Sequence, residues 1–596
     1  MDIIKRKALG RAAKLGNLYD VRNDSILSLS IFNQILPDDS IQSVDTHFSD
    51  YKYSLNDSFE EKFNNLNVEA DLKLSVLGGL LKLDGSAKYL NEQKSQYKSV
   101  KGSFLYNIKT KREFLSLTNE NLKSIVSSSI FEIKDATHII VGIDWGANSV
   151  ASFEYENNEN SDKTNIEGSL KAHMEKVSYS ISGGASVKFD ENSKKIGENL
   201  AIKFYGDFIP QNEDLPNSIE KTIELMKKIP KFIEHSNGGK GVPLEIELMP
   251  ISVVEKIFSL EHKIDRLIIE INIESINRIQ IELDEHLEAK QKYNDLKKYI
   301  NENSEYFPLA TIKLVNETRQ QIDIAETKFR NSLSKLLVAI RSGEKPIHQI
   351  ENLIEDFKTS GWCGKGIENF LKENKKILNR MEKIDNFKTM NVDYLRKSEN
   401  IEMLIQKNKS KEIYIFFQSE ELNELNKTSY KENYDCFLKL IRTNHDSIEN
   451  KEILLWVYDF EIHFDATLFP EKKVTIKLYK SGFEILNDFC QSEKIWIERC
   501  IAESKIMKYG INRPEKTIKA NFPCPNWKKK QGCTKINCEW WCKKCSTIIE
   551  YDLNCMFFCE CGSSLAMDYG YICNDKHHPE NQGNFFTRTK YLKKVR

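Results

Sequence analysis

The chain has 596 residues, 40% of them hydrophobic and 29% charged, with a formal net charge of −1. That length is too great for one core and corresponds to about three to five domains, and the composition supplies packed cores rather than disorder. A near-neutral balance excludes any whole-protein argument for nucleic acid or an acidic surface, so charge has to be read segment by segment.

The N-terminus, Met1-Asp2-Ile3-Ile4-Lys5-Arg6-Lys7-Ala8, is basic but has no apolar run of signal-peptide length, and no run in the chain approaches ~18 apolar residues. Neither a signal peptide nor a transmembrane helix is expected. Residues 1–250 are rich in alternating and β-branched stretches such as His138-Ile139-Ile140-Val141-Gly142-Ile143 and Ala201-Ile202-Lys203-Phe204-Tyr205, which predict a large mixed α/β domain. Two stretches within it deserve separate treatment because their periods are ambiguous. In the first, about 56–105, Leu72, Val76, Leu80 and Leu83 recur at helical spacing, while Leu72, Leu74 and Val76 also alternate as a strand would. Gly78-Gly79 could relax the backbone where the two readings collide. In the second, about 163–200, Val177, Tyr179 and Ile181, then Ala185, Val187 and Phe189, alternate on either side of Gly183-Gly184. Simple packing in a soluble core would also account for such short apolar runs. His138 and His173 read as structural or surface histidines.

Residues 251–385 change to long helical patterns: Ile322, Ala325, Phe329, Leu333, Leu336 and Ile340 form one apolar face. Pro308 and Pro346 sit near helix starts and Gly343 and Gly361 near ends, so a bundle of about four helices is expected. Residues 386–505 contain the apolar runs Ile413-Tyr414-Ile415-Phe416-Phe417, Ile453-Leu454-Leu455-Trp456-Val457 and Val474-Thr475-Ile476-Lys477-Leu478, which fit a small α/β domain. No Cys-x-x-Cys occurs there, so dithiol redox chemistry would lack both of its thiols. No Ser/His/Asp arrangement, phosphate loop or paired carboxylate site stands out, and the chain is not expected to be an enzyme.

Of 13 cysteines, nine lie between Cys524 and Cys573 in the segment 506–596. Structural zinc takes four thiolate or imidazole ligands, commonly from short paired spacings. Cys542-x2-Cys545 and Cys559-x-Cys561-Gly562 supply two such pairs, giving a four-cysteine ribbon, with a second site drawn from Cys524, Cys533, Cys538, Cys555, Cys573 and His577 or His578. A rival partition groups Cys524, Cys533, Cys538 and Cys542, whose spacing is similar to a three-cysteine-one-histidine finger with cysteine in the last place. Reduced or disulfide-bonded cysteines are the alternative to metal. One or two structural zinc ions are therefore the expected cofactor. From Ile511 to Arg596 there are 15 Lys and Arg against eight Asp and Glu, a local excess of +7, with Trp527, Trp540 and Trp541 interleaved. This permits a protein, nucleic-acid or anionic membrane partner, although solvated lysines around a zinc site explain it as well.

Six ordered strings carry a family resemblance. They are Ala8-Leu9-Gly10-Arg11 with Leu15-Gly16-Asn17-Leu18-Tyr19-Asp20; Leu77-Gly78-Gly79-Leu80 leading into Gly85-Ser86-Ala87-Lys88-Tyr89-Leu90-Asn91; Ala136-Thr137-His138; Gly142-Ile143 with Trp145-Gly146-Ala147; Lys203-Phe204-Tyr205-Gly206-Asp207-Phe208; and Val242-Pro243 with Leu248-Met249-Pro250. Together they resemble the stonustoxin/neoverrucotoxin family, a branch of the perforin-like/cholesterol-dependent cytolysin (MACPF/CDC) superfamily. The resemblance implies a multidomain α+β chain: a MACPF/CDC-like bent-sheet domain over 1–250, a focal-adhesion-targeting-like helical bundle over 251–385 and a thioredoxin-like domain over 386–505. Two features depart from it. The aromatic-Gly-Thr/Ser-His-aromatic signature of the wider superfamily is not intact, and a cysteine-rich module stands where the family toxins carry PRY/SPRY.

Pore formers of this superfamily turn two helical clusters into membrane-spanning β-hairpins, so the resemblance implies that role for the two ambiguous stretches. Leu72, Leu74, Val76, Leu80, Val177, Tyr179, Ile181, Val187 and Phe189 become candidate membrane-inserting residues, with Gly78, Gly79, Gly183 and Gly184 as candidate turns or hinges. A membrane-spanning strand needs only ~9–11 residues, and each stretch is long enough for two. Lys73, Lys82, Asp84 and Lys88 interrupt the first, which suits a water-filled lumen better than lipid. The implied protein is a pore-forming-toxin-like molecule, cytoplasmic before release by a non-standard route and membrane-associated when active. It would assemble as a homo-oligomer or with a paired related subunit, with the tail selecting a target. A non-lytic intracellular interaction or defence scaffold, its zinc module binding protein or nucleic acid, is the competing expectation.

Overall fold

The computed structural model describes residues 3–155, 163–181, 200–208, 215–259, 267–463, 465, 469–492, 538–542, 548–549 and 569–573. They fall into two compact units, residues 1–302 with 312–375 and residues 303–311 with 376–596.

The first unit is organised by an eight-stranded sheet: β1 (Ile4–Lys7), β2 (Asn17–Asp20), β3 (Ser25–Ser30), β4 (Ile41–Ser54), β5 (Val100–Leu115), β6 (His138–Tyr155), β7 (Leu200–Gly206) and β8 (Val242–Pro250). Its spine is β6, 18 residues long. The first half of β6 pairs with β8 and β2, its last third with β7, and nearly its whole length with β5; every one of these pairings is antiparallel. The register slips between Lys109 and Lys111 on β5 and at Ile140/Gly142 and Asp144/Trp145 on β6. Such irregularities bend a strand and sharpen its twist. A Cβ at Gly146 would run into the Ile108 carbonyl, so the close approach of β5 and β6 at the bend requires glycine.

The bend separates two cores. Tyr19, Phe131, Ile139, Ile140, Ile143, Ile246, Leu248 and Phe258 fill the one beside the first half of β6. Val100, Phe104, Phe153, Leu170, Met174, Met226 and Ile229 fill the one beside its last half. A third core lies under the long helices Ile273–Glu302 and Leu309–Arg341. There Phe329, Leu333, Leu337 and Ile340 pack with Ile276, Ile279 and Leu283 and with Phe59, Phe63, Leu72, Leu74 and Leu77 from the segment between β4 and β5.

The second unit holds a five-stranded sheet of β9 (Asp393–Tyr394), β10 (Glu412–Gln418), β11 (Ile453–Asp459), β12 (Thr475–Lys480) and β13 (Phe483–Leu486), in the order β13-β12-β10-β11-β9. The pairs β10–β11 and β11–β9 are parallel, while β10–β12 and β12–β13 are antiparallel. The carboxyl ends of the parallel strands carry buried polar groups: Gln418 Nε2 donates to Tyr394 Oη at 2.9 Å, Arg380 lies 3.0 Å from Asp459, and Tyr394 donates to the same carboxylate. Burial pushes Asp459 up from the ordinary carboxylate range, opposed by Arg380. A separate three-stranded antiparallel sheet is formed by β14 (Cys538–Cys542), β15 (Ile548–Ile549) and β16 (Tyr569–Cys573).

Candidate functional site

Strands β4, β5, β6 and β7 form an antiparallel meander whose ends coincide. Ser54 lies opposite Ser103, Val100 opposite Tyr155, and Tyr155 opposite Leu200. Two insertions therefore leave the same end of one sheet: residues 55–99 (99 − 54 = 45 residues) between β4 and β5, and residues 156–199 (199 − 155 = 44 residues) between β6 and β7.

The first insertion is helical. Ser58 caps the helix Phe59–Asn65 by accepting the Glu61 N–H at 3.2 Å. The helix Ala70–Leu77 carries Leu72, Leu74 and Val76, each 5% exposed or less. It stops at Leu77, so Leu80 and Leu83 do not continue its apolar face. The stop has a local cause: Gly79 takes φ +74°, its N–H donates to Val76 O at 3.0 Å, and Leu80 N–H reaches back to Ser75 O at 2.8 Å. This is a Schellman closure, which favours glycine at the left-handed position. Leu80 beyond it is partly buried against the core. Residues Gly85–Asn91 then form a 3-10 helix.

Three sets of contacts hold this insertion folded. At the sheet end, Asp57 pairs with Lys62 at 2.9 Å and with Lys101 of β5 at 3.0 Å, while Glu92 pairs with Lys101 at 3.2 Å and with Lys203 of β7 at 3.4 Å. Burial pushes the Lys62 ammonium below its ordinary value. Burial opposes ionisation of Asp57, yet Lys62 and Lys101 together hold its carboxyl below the usual range. Asp207, just past β7, accepts the Ser86 N–H at 2.9 Å and the Asn148 N–H at 2.7 Å, and Tyr89 Oη lies 2.7 Å from Ser103 Oγ.

On its helical side, Asp284 accepts the Phe59 N–H at 2.8 Å, Asp295 accepts the Lys98 N–H at 3.1 Å, and Arg330 donates to Leu77 O at 2.7 Å with its guanidinium over the Phe59 ring. A buried network closes the third side. Arg341 lies 3.0 Å from the Asp24 carboxylate and donates to Ser75 Oγ at 2.9 Å and to Asp71 O at 2.8 Å; Ser75 donates to Asp24, and Arg6 pairs with Asp71 at 3.1 Å. Buried charges left without partners are costly, so this network fastens the helix Ala70–Leu77 strongly.

The second insertion begins with the helix Lys163–Ile181, whose Ile166, Leu170 and Met174 pack on Val100, Phe104 and Phe153. Tyr179 in this helix is 57% exposed. Val177 and Ile181 lie in the same helix. Gly183, Gly184, Val187 and Phe189 lie outside the described residues. His138 and His173 are buried: His138 Nδ1 is 3.0 Å from Thr137 Oγ1, His173 Nδ1 2.8 Å from Ser169 O. Burial, with Arg6 nearby, lowers His138 to about 4, so it is neutral at pH 7.

Of the cysteine-rich candidates, Cys538 and Cys542 lie on β14 and Cys573 on β16. Cys524, Cys533, Cys545, Cys555, Cys559, Cys561 and His577 lie outside the described residues. A donor set of nine thiols with a neighbouring histidine suits zinc chemically. Among the described residues no group of three or more His, Cys, Asp or Glu could hold a metal ion, and no helix is long and apolar enough to cross a membrane.

Sequence reasoning did not single out Asp24, Asp57, Ser75, Lys62, Glu92, Lys101 or Arg341. Their pairings, from Asp57–Lys62 five residues apart to Asp24–Arg341 at 317 residues, share no helical or strand period. Asp207 lies inside the family-like string Lys203–Phe208, and its carboxylate ties that string to another, Gly85 to Asn91.

Comparison with known proteins places these observations. Residues 3–262 match the family described as SNTX, MACPF/CDC-like domain, and residues 386–494 match a domain of unknown function, DUF7656. Cytolytic toxin-alpha of Scorpaena plumieri is 30% identical over 351 residues, covering 58% of this chain and 48% of the toxin. Stonustoxin subunit alpha of Synanceia horrida is 28% identical over 370 residues, covering 61% of this chain and 50% of the subunit. The chain thus aligns with about half the length of these relatives. The solved stonustoxin structure superposes with a TM-score of 0.51 at 21% identity, covering 82% of this chain and 70% of that one, which is a likeness of fold.

Proposed function

Residues 3–262 are an SNTX-type MACPF/CDC-like domain in a chain homologous to stonustoxin and cytolytic toxin subunits, and from that premise we propose that the protein is a pore-forming-toxin-like molecule. It associates through this domain and inserts residues 55–99 and 156–199 into a membrane as two β-hairpins. The observation that carries the reading is the alignment of Ser54, Val100, Tyr155 and Leu200 at one end of the β4–β7 meander. Because the strands are already in register, each insertion could extend its two flanking strands without re-pairing the sheet. Folding 45 or 44 residues into a hairpin gives two strands of about 20 residues, roughly twice the ~9–11 that a bilayer needs. A closed barrel leaves no unpaired edge in lipid, whereas one hairpin alone would, so assembly of several copies is part of the proposal. Partners are further copies or a related subunit; stonustoxin subunit alpha is by name one of several subunits.

The tail is read as a zinc-binding module that selects a target, supported by its thiol spacing. Residues 386–505 are read as thioredoxin-like, supported by the strand order and directions around β10. The protein would be cytoplasmic before release and membrane-associated when active.

An environment-sensitive probe placed in turn at residues 176 to 180 tests the insertion. On vesicles the probe should report lipid and water alternately, with a period of two residues. A signal unchanged from solution at every position would contradict it. The cysteine-rich tail also supports a second reading, a non-lytic scaffold whose tail binds protein or nucleic acid; a stable complex captured by the full chain, with no change at residues 176 to 180 on vesicles, would favour it.

A further inference from the structure

Departure of the first insertion would strip charges on the sheet of their partners. Lys101 of β5, its side chain 2% exposed, is neutralised by Asp57 at 3.0 Å and Glu92 at 3.2 Å, and both carboxylates belong to residues 55–99. Lys203 of β7 would lose Glu92 as well, but its side chain is 54% exposed and already met by water. Lys101 is therefore the cation whose partner has to be replaced, because a buried charge deprived of its partner is costly.

A replacement stands beside it. In the antiparallel pair β5–β6, Lys101 faces Glu154. Facing residues of such a pair share one side of the sheet, with Cα atoms about 4.5–5.5 Å apart, well within reach of these two side chains. Glu154 is 9% exposed, yet among the described residues its carboxylate pairs with no cation. Its side-chain partner is Ser95, whose N–H and Oγ lie 3.3 and 3.4 Å from Oε1, and Ser95 too belongs to the insertion. We propose that Glu154 is the reserve partner of Lys101. When residues 55–99 leave the sheet end, taking Asp57, Glu92 and Ser95 with them, Lys101 and Glu154 close an ion pair across β5 and β6 that stabilises the open form.

This pairing presupposes that residues 55–99 leave the sheet, as proposed above, and names a contact that favours their leaving. Opening then exchanges ion pairs instead of abolishing them. Asp57 departs with Lys62, 2.9 Å away in the same insertion, and Lys101 passes to Glu154. The exchange needs no shift of register, since β5 and β6 stay paired through Lys101–Glu154 to Val100–Tyr155.

Glu154→Gln tests the pairing, because it keeps an oxygen for Ser95 and removes the charge. The urea midpoint of the soluble variant should match wild type. Its dye release from phosphatidylcholine liposomes, with or without added sterol and anionic lipid, should fall about two- to fivefold, the effect of losing one cross-strand charge pair. Release equal to wild type, or a lower urea midpoint, overturns the reserve role. A second measurement uses wild type with a water-soluble carbodiimide, which condenses a touching amine and carboxylate to an amide. Peptide mass spectrometry should find Lys101 joined to Glu154 in the liposome-bound protein and not in the soluble protein. That amide missing from liposome-bound protein that releases dye, or equally abundant in solution, also overturns the proposal. Wild type that releases dye from none of these liposomes, alone or with a related subunit added, instead overturns the insertion on which the pairing depends.

Discussion

Asp207, which follows β7 beside Asn148 of β6, accepts the backbone N–H of Ser86 at 2.9 Å, 121 residues away in sequence. Its second oxygen accepts the Asn148 N–H at 2.7 Å, so one half-buried carboxylate ties the 3-10 helix Gly85–Asn91 of the first insertion to β6 and β7. Replacing it with alanine leaves two buried donors unpaired, at about 1–3 kcal/mol each. Asp207→Ala should therefore lower the stability of the first unit by about 2–6 kcal/mol in chemical denaturation. A change within 0.5 kcal/mol would show that Asp207 is no anchor.

That anchor marks how far the sequence could be read. The strings around Gly85 and Lys203 were recognisable one at a time, and so was the helix face through Phe329, Leu333 and Ile340, because each depends on local spacing. Gly79 was legible as a place where the backbone turns, although not as the stop that excludes Leu80 from the helix. The Asp24–Ser75–Arg341 network was not legible, since it joins three segments whose only common property is burial. Nor was the coincidence of Ser54, Val100, Tyr155 and Leu200, which exists only once strand register is fixed.

Arg341 should act as a fastener of the helix Ala70–Leu77. Removing one partner of a buried charged network costs about 3–5 kcal/mol, and Arg341→Ala also releases Asp71 O and Ser75. The variant should be destabilised by that amount and should expose residues 70–77 to limited proteolysis before the rest of the unit unfolds. Cleavage there at the wild-type rate would count against the fastening role.

Tethers should hold either insertion in place. A Cβ built at Gly78 lies 3.4 Å from the Ser334 backbone nitrogen, and one built at Gly102 lies 3.5 Å from Leu170 Cγ, so each pair of positions is in direct van der Waals contact. Oxidised Gly78→Cys/Ser334→Cys and Gly102→Cys/Leu170→Cys proteins should bind vesicles but release less than about a tenth of the dye that the reduced proteins do, a difference of at least ~1.4 kcal/mol in the barrier. Full release from the oxidised proteins would rule out unfolding of that insertion.

Acid should loosen the sheet-end cluster only at low pH. The Asp57 carboxyl is opposed by burial but held below its ordinary 3.8 by Lys62 and Lys101. A carboxyl lowered on folding contributes stability that is fully present above its unfolded value and lost as pH falls through the lower folded one. Burial raises Asp207 instead, so its protonation favours the fold as pH falls and works against that loss. Proteolysis within residues 55–99 should thus not increase from pH 7 to 5 and should rise only below about 3.8, and Asp57→Asn should flatten the rise. Cleavage already increasing between pH 7 and 5.5 would assign the trigger to another group.

Pore formation through the aligned insertions is tested by dye release from liposomes of varied composition, with electron microscopy of the same samples. Release should steepen with protein concentration and be accompanied by rings or arcs, from this chain alone or with a related subunit added. Neither release nor rings at any lipid composition, with and without that subunit, would contradict pore formation.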